Sequence, residues 1–405
     1  MEQLYERCAG LDVHQKTVAA GVRVPAPDGG RAQAIQTFGT TTPELLALRD
    51  WLEAHQVTHV AMESTGGYWK PVYYLLEERF TCLLVNAAHI KQVPGRKTDI
   101  QDCAWIAQLL EHGLLRGSFV PPPPIRDLTR YRKRLIQDRA REANRLHKVL
   151  QDAGIKLASV ASDILGLSGR AMLAALVEGT TDPVLLAELA RGKLRAKLPA
   201  LRQALVGRFR AHHAFLVSQL LAHLEYLEEA IETLSGRIGE LLAPFEAEVA
   251  LLDTIPGVNR RTVEALLAEL GADMTTFPSD HHLASWAALC PGNHESAGKH
   301  KSGKTRQGNR WLRTTLIEAA LAASNTKQSA LAARYRRLRH RGHKKAVVAV
   351  AHAILRAAYH ILTRQVPYQE LGADYLDRRH AERATRRALH LLEGQGYRVT
   401  LERAA

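Results

Sequence analysis

Acidic residues in the first quarter of the chain stand where strands end and a helix begins. Asp12 closes the apolar run CAGLDV, and Glu63 closes VTHVAME, ahead of a Gly-Gly pair. Asp99 and Asp102 lie in TDIQD, three apart, a spacing that puts both on one side of a helix. Carboxylates gathered in one place repel one another, and divalent cations remove that conflict. Mg2+ takes oxygen ligands and keeps waters or substrate phosphates, with Mn2+ as a substitute. Two such ions about 4 Å apart serve phosphoryl transfer, activating the attacking oxygen and stabilising the leaving one. Asp12, Glu63, Asp99 and Asp102 are therefore the candidate metal ligands and catalytic carboxylates. Read singly, Asp12 also fits a turn, and Asp99 and Asp102 fit the favourable start of a helix dipole.

The surrounding pattern must bring these groups together. Residues 7–24 predict two short strands about a turn at His14–Lys16, and 34–38 a third strand. TTPELLALRDWLEAHQ predicts a helix capped by Thr42, with Pro43 in its first turn. VTHVAME (57–63) is a buried strand, GYWKPVYYLLEERF a helix and TCLLVN (81–86) a strand. Thr98 and Gln101 stand at capping-box spacing and start the next helix. Ile100, Cys103, Ala107 and Leu110 can pack that helix on the sheet. Residues 1–120 thus predict an α/β domain with a mixed sheet.

Prolines 121–124 predict a linker. Residues 126–148 then hold nine Lys/Arg against three Asp/Glu. That imbalance predicts an amphipathic helix on a phosphate backbone, with Arg130, Arg132, Lys133, Arg134, Arg141 and Arg145 as candidate nucleic-acid contacts. A solvated helix face is the plainer alternative. Val217, Leu220, Leu224, Leu227, Ile231, Leu234, Ile238 and Leu241 form a heptad seam that needs a partner helix, from this chain or from another subunit. Residues 121–250 are therefore a basic helix and coiled-coil region. From 251 to 405 the chain is mainly helical, opening with LLDTIPGVNRRTVEALLAELG, which resembles a helix-hairpin-helix offering turn N–H groups to phosphate.

GLDVHQKTV, AMESTGGYW and GRKTDIQDCAWIAQLL resemble the signature segments of DEDD transposases, the one-hundred-and-ten family of insertion sequences. The resemblance implies an N-terminal domain similar to ribonuclease H and to the RuvC-type Holliday-junction nuclease. It assigns the acidic tetrad to Asp12, Glu63, Asp99 and Asp102. CPGNHESAGKHKSGKTRQGNRWLR matches the C-terminal segment of that family, which implies a transposase domain over 251–405 with Ser296 as nucleophile to DNA. Ala297 stands where many relatives have glycine, so Ser302 is the alternative; the offset after Pro291 favours Ser296. A serine attacking a phosphodiester needs charge neutralisation, which Lys299, Lys301, Lys304, Arg306, Arg310 and Arg313 could supply. The family further implies donor and target DNA as partners and a structured guide RNA from the element, whose base pairing selects sequence.

GKHKSGKT (298–305) also fits the phosphate-loop pattern. That pattern needs a buried strand before it and a helix directly after it. The preceding HLASWAALCPGNHESA predicts a short helix broken at Pro291, so the match is coincidental and no ATP site is expected.

Composition agrees with a polyanionic partner: net charge is +14 and the pI about 9.8. No apolar run of spanning length is evident, and no membrane is expected. Cys8, Cys82, Cys103 and Cys290 are scattered, as in a reducing bacterial cytoplasm, here beside the nucleoid. The heptad seam predicts a homo-oligomer, a dimer or tetramer. Two rivals to an RNA-guided transposase remain at this level: a Holliday-junction-type endonuclease without a serine intermediate, and a non-enzymatic nucleic-acid-binding coiled-coil protein.

Overall fold

The computed structural model describes residues 3–27, 29–64, 66–86, 102–115, 117–120, 123–291, 294–296, 299–302, 304–305, 308–396 and 398–400. The chain forms two compact units, Met1–Val120 and Pro121–Ala405.

The first unit is built on a six-stranded mixed sheet in the order β3-β2-β1-β4-β5-β6. β1 (Cys8–Val13), β2 (Thr17–Pro25) and β3 (Arg31–Gly39) form an antiparallel meander, closed at its first turn by His14 N–H donating to Thr17 O at 2.9 Å. β4 (His59–Glu63) runs parallel to β1, and β5 (Thr81–Val85) parallel to β4. The two-residue β6 (Gly117–Ser118), too short to leave a sequence pattern, adds an antiparallel edge. Helix Thr42–Ala54 begins one residue after Thr41, which takes the N-cap place expected of Thr42.

Strand alternation divides the core by face. Ala9, Leu11, Val13, Val60 and Met62 pack with Leu45, Leu48, Val72 and Leu76 of helices Thr42–Ala54 and Trp69–Leu76. Cys8, Ala61 and Val85 face the other way, onto Ile106, Leu109 and Leu110 of helix Asp102–Glu111. That helix lies so close that a Cβ at Gly10 would stand 2.2 Å from Cys103 O and 2.3 Å from Ala107 N. At Gly21 it would stand 3.1 Å from Ala104 N. The far end of the helix is pinned by Glu111, fully buried, which pairs with Arg23 of β2 and Arg31 of β3.

In the second unit Pro123 and Pro124, expected in a linker, open the basic helix Pro123–Asp152, while Pro121 and Pro122 lie outside the described residues. Proline suits a first helical turn, whose N–H groups have no intrahelical acceptor. This helix packs along helix Ala211–Leu242 and covers the heptad seam from within the chain. Leu135 meets Leu227 and Ile231; Leu146 and Leu150 share a core with Val217 and Leu224. The seam therefore no longer calls for a second subunit.

Helices Glu246–Asp253 and Arg260–Leu270 flank the Pro-Gly turn. Gly257, at φ +82°, sets its α-carbon against Ala319 O and Ala323 N of helix Arg310–Ser324. Packing is thus one task of this turn. The apolar segment after residue 345 lies in helix His343–Arg364, which is long and apolar enough to cross a bilayer, so a run of spanning length is present after all. Its Val350, Ile354, Leu355 and Ala358 are buried, and its Arg356 pairs with buried Asp280. These contacts make it a core helix of the second unit.

Gly10→Ala should lower unfolding stability by about 1–3 kcal/mol or more, because the new methyl meets backbone rather than a movable side chain. Urea denaturation of the full chain checks this; an unchanged midpoint would contradict the close seating of the helix.

Candidate active site and nucleic-acid interface

Asp12 and Glu63 reach the same face of the sheet by register. Leu11 pairs with Met62 across β1 and β4, so Asp12 and Glu63 follow as the next neighbours. By the two-residue period Asp12 shares the face of Cys8 and Gly10, and Glu63 that of Ala61. This is the face under helix Asp102–Glu111. The helix runs antiparallel to β1: Cys103 lies over Gly10, Ala107 accepts from Cys8 Sγ at 3.5 Å, and Glu111 sits at the opposite end. Asp102, in its first turn, therefore arrives at the end of the sheet where Asp12 and Glu63 stand.

The Cys103 thiol reports the crowding. Burial chiefly pushes its pKa up, and the carboxylates of Asp12 and Asp102 both add to the rise. Cys8 and Cys82 are raised to about 12, again mainly by burial, so both remain neutral thiols. Asp12 Oδ2 lies 3.2 Å from Nε2 of the exposed His14, a contact that the turn position of His14 does not announce in the sequence. Asp12, Glu63 and Asp102 offer hard oxygen donors of the kind Mg2+ or Mn2+ takes, from three elements, but their carboxylate oxygens do not all lie within 4.8 Å of one another, so the structure brings them to one end of the sheet without closing them into a coordination shell. Asp99, with the expected capping pair Thr98 and Gln101, lies outside the described residues.

The segment expected to be a basic loop is a two-stranded hairpin. β7 (His294–Ser296) pairs antiparallel with β8 (Lys299–Ser302), and a Pro291–Thr305 bridge closes its base. Ser296 pairs with Lys299 beside the hairpin tip, while Ser302 pairs with His294 at the opposite end. Residues 299–302 are extended strand, not the strand-to-helix loop that cradles a nucleotide phosphate. Lys299 and Lys304 are exposed; Arg306 and the side chain of Lys301 lie outside the described set.

The hairpin leads into helix Arg310–Ser324 through Gly308 and Asn309. A Cβ at Gly308 would stand 2.4 Å from that of Ala288. Asn309 Oδ1 accepts from Trp311 N and Leu312 N, both at 3.1 Å, and its Nδ2 donates to Glu269. This Gly-Asn pair fixes the chain leaving the hairpin onto the helix behind it. Sequence reasoning misses Asn309 and Glu269 as positioning residues, although an Asn before a helical run is a legible cap signal.

The basic helix divides its cations between two uses. Arg132 is 4% exposed and donates to Glu264, itself 6% exposed, at 2.6 Å. That buried pair, with a second bond from Arg132 to Ser235 at 3.2 Å, gives its guanidinium a structural task between helices. Arg130 makes a bidentate pair with Glu269 at 2.7 and 2.8 Å, and Lys133 pairs with Glu318. Arg141 pairs with Asp138, and Arg145 with buried Glu142. Arg134, Arg310 and Arg313 make no ion pair among the described residues. Arg134 and Arg310 lie over the Trp311 ring, 5.5 and 5.4 Å from its centroid.

Asp152, His212 and His213 form a second group, with one donor atom from each within 4.8 Å of the others. His213 Nδ1 accepts from Arg210 N–H at 3.1 Å, so neutral His213 carries its proton on Nε2, facing Asp152 Oδ2 at 3.5 Å.

Removing one partner of a buried pair strands the other charge. Arg132→Met or Glu264→Gln alone should each cost about 3–5 kcal/mol, and the double variant clearly less than their sum. Chemical denaturation of the three variants tests this; strictly additive losses would count against a direct pair.

Two family models match the chain. One, described as a transposase of the DEDD_Tnp_IS110 type, spans residues 9–155 and takes in all four candidate carboxylates. The other, the transposase IS116/IS110/IS902 family, spans 249–336 and takes in the serine hairpin. Among curated proteins, the pilin gene-inverting protein of Moraxella lacunata is 23% identical over 82% of this chain and 90% of its own length. The transposase for insertion sequence element IS1111A of Coxiella burnetii is 26% identical over 76% of this chain and 79% of its own. An insertion element IS110 protein of Streptomyces coelicolor is 34% identical over 34% of each chain. The two matched spans hold the acidic segments and the serine hairpin in the order seen here, and the chain belongs to the IS110 family of DNA transposases and recombinases.

Proposed function

We propose that this transposase cuts and exchanges DNA strands through a ribonuclease-H-like acidic centre and a serine nucleophile, directed by a structured RNA. The observation that carries the reading is the arrival of Asp12, Glu63 and Asp102 at one end of the sheet beneath a single helix. Asp99 completes the set by its family position. These carboxylates would hold Mg2+, which neutralises charge on a phosphodiester and activates an attacking oxygen. His14 beside Asp12 helps to orient that carboxylate.

Ser296 at the hairpin tip supplies the second function. Its Oγ loses its proton and attacks a DNA phosphorus, the P–O bond to one sugar breaks, that sugar oxygen takes up a proton and leaves as a hydroxyl, and the serine–phosphate ester keeps the energy of the broken bond for rejoining. Lys299, Lys304, Arg310 and Arg313 hold the flanking phosphates. Gene inversion and element transposition, for which relatives are named, both require strands to be cut and rejoined. Support for guidance by RNA comes from the family resemblance and from a net charge of +14. Sequence choice then rests on base pairing, with the protein gripping backbone and shape.

Asp12→Asn and Asp102→Asn should each lower excision and strand cleavage by several orders of magnitude and weaken Mg2+ binding measured by calorimetry. Variants that cleave at the wild-type rate would overturn the metal-centre reading.

A further inference from the structure

A cleft of about 290 Å3 lies in the second unit between the basic helix, the N-terminal end of helix Arg260–Leu270 and helix Arg310–Ser324. One wall is the half-buried Trp311. Its lining includes the small residues Ala265, Ala319 and Ala322 together with Asn259, Thr262 and Arg261. Such a combination of one aromatic face, small residues, hydroxyl and amide groups and cations suits a nucleobase with its phosphate.

The charges around the cleft divide sharply. Glu269 is taken up by Arg130 and Asn309, and Glu318 by Lys133. Arg261, Arg134 and Arg310 are exposed and make no ion pair among the described residues. Arg134 and Arg310 rest against the indole, as does Arg130 at 5.8 Å. Cation–π contact holds guanidinium groups beside the ring when no base is present. An incoming base takes the aromatic face, and the displaced guanidiniums turn to its phosphates.

The geometry points to this cleft as a receptor for one unpaired nucleotide, stacked on Trp311 and held at its phosphates by Arg261, Arg134 and Arg310. This deepens the reading of the chain as a nucleic-acid-handling recombinase and shares only Arg310 with the cations placed around the hairpin serine; Trp311, Arg261, Arg134 and Ala265 belong to the cleft alone. An unpaired base is what strand exchange exposes and what a looped RNA displays, and both sources share the same nucleotide chemistry.

The test uses the full chain with short single strands, deoxyribose or ribose, carrying one 2-aminopurine, and with matching blunt duplexes. Base stacking should quench the 2-aminopurine on binding of the single strand. Trp311→Ala should weaken single-strand binding by roughly 5- to 150-fold, the range of one lost base stack. Ala265→Leu removes no contact and fills the cleft, so it should give a similar loss while leaving the unfolding midpoint near wild type. Duplex binding should change little in either variant. A preference for the ribose strand would identify guide RNA as the source, and a preference for the deoxyribose strand would identify DNA. Wild-type single-strand affinity in folded Ala265→Leu, or equal loss for single strand and duplex, would overturn the proposal. Strand cleavage lost on carboxylate substitution with single-strand quenching intact would support the acidic centre separately. Quenching absent with cleavage intact would sink the cleft alone.

Discussion

The backbone contact between helix Asp102–Glu111 and the first two strands is the constraint on which the acidic centre depends. Gly10 and Gly21 let the helix axis come down onto β1 and β2, where any side chain would meet peptide atoms. Ion pairs from Glu111 to Arg23 and Arg31 hold its other end. With both ends fixed, Asp102 has one place to go, and it is the end of the sheet where Asp12 and Glu63 emerge. Rigid elements fixed in this way would limit how far the carboxylates at that end can be driven apart by their mutual repulsion.

In the second unit the comparable role falls to buried charge. Arg132–Glu264 and Arg130–Glu269 tie the basic helix to helix Arg260–Leu270, and Asn309 ties Glu269 to the helix that follows the hairpin. The strongly cationic face of residues 126–148 is thus partly structural. Among the described residues, the cations without an ion pair around this contact include Arg134 and, from other elements, Arg261, Arg310 and Arg313. They cluster around Trp311 and the N-terminal half of its helix.

Much of this is legible in the amino-acid sequence. Strand alternation and flanking turns locate β1, β2, β4 and β5, and the end positions of Asp12 and Glu63 follow from them. The heptad seam announces a partner helix, but periodicity cannot say whose, and the basic helix is that partner. Charge counting cannot separate buried Arg132 from exposed Arg134, two residues apart, because the distinction depends on which helices pack where. The prolines at 123 and 124 suggest a linker because proline breaks a helix interior, whereas here they occupy a first turn. The hairpin at 294–302 is hidden by its polar composition, since strands this short and polar have no apolar alternation to display. Trp311 stands next to Arg310 in the sequence, yet its other arginine neighbours come from a helix almost two hundred residues away.

On the proposed reading, strand exchange passes through Ser296. Incubating the full chain with a candidate guide RNA, Mg2+ and a donor duplex, then denaturing and digesting the product, would expose any covalent link for peptide mass spectrometry. The account predicts a nucleotide-bearing peptide joined at Ser296, absent in Ser296→Ala and strongly reduced in Asp102→Asn. Cleaved DNA with no protein-linked strand, or an adduct that persists in Ser296→Ala, would contradict it.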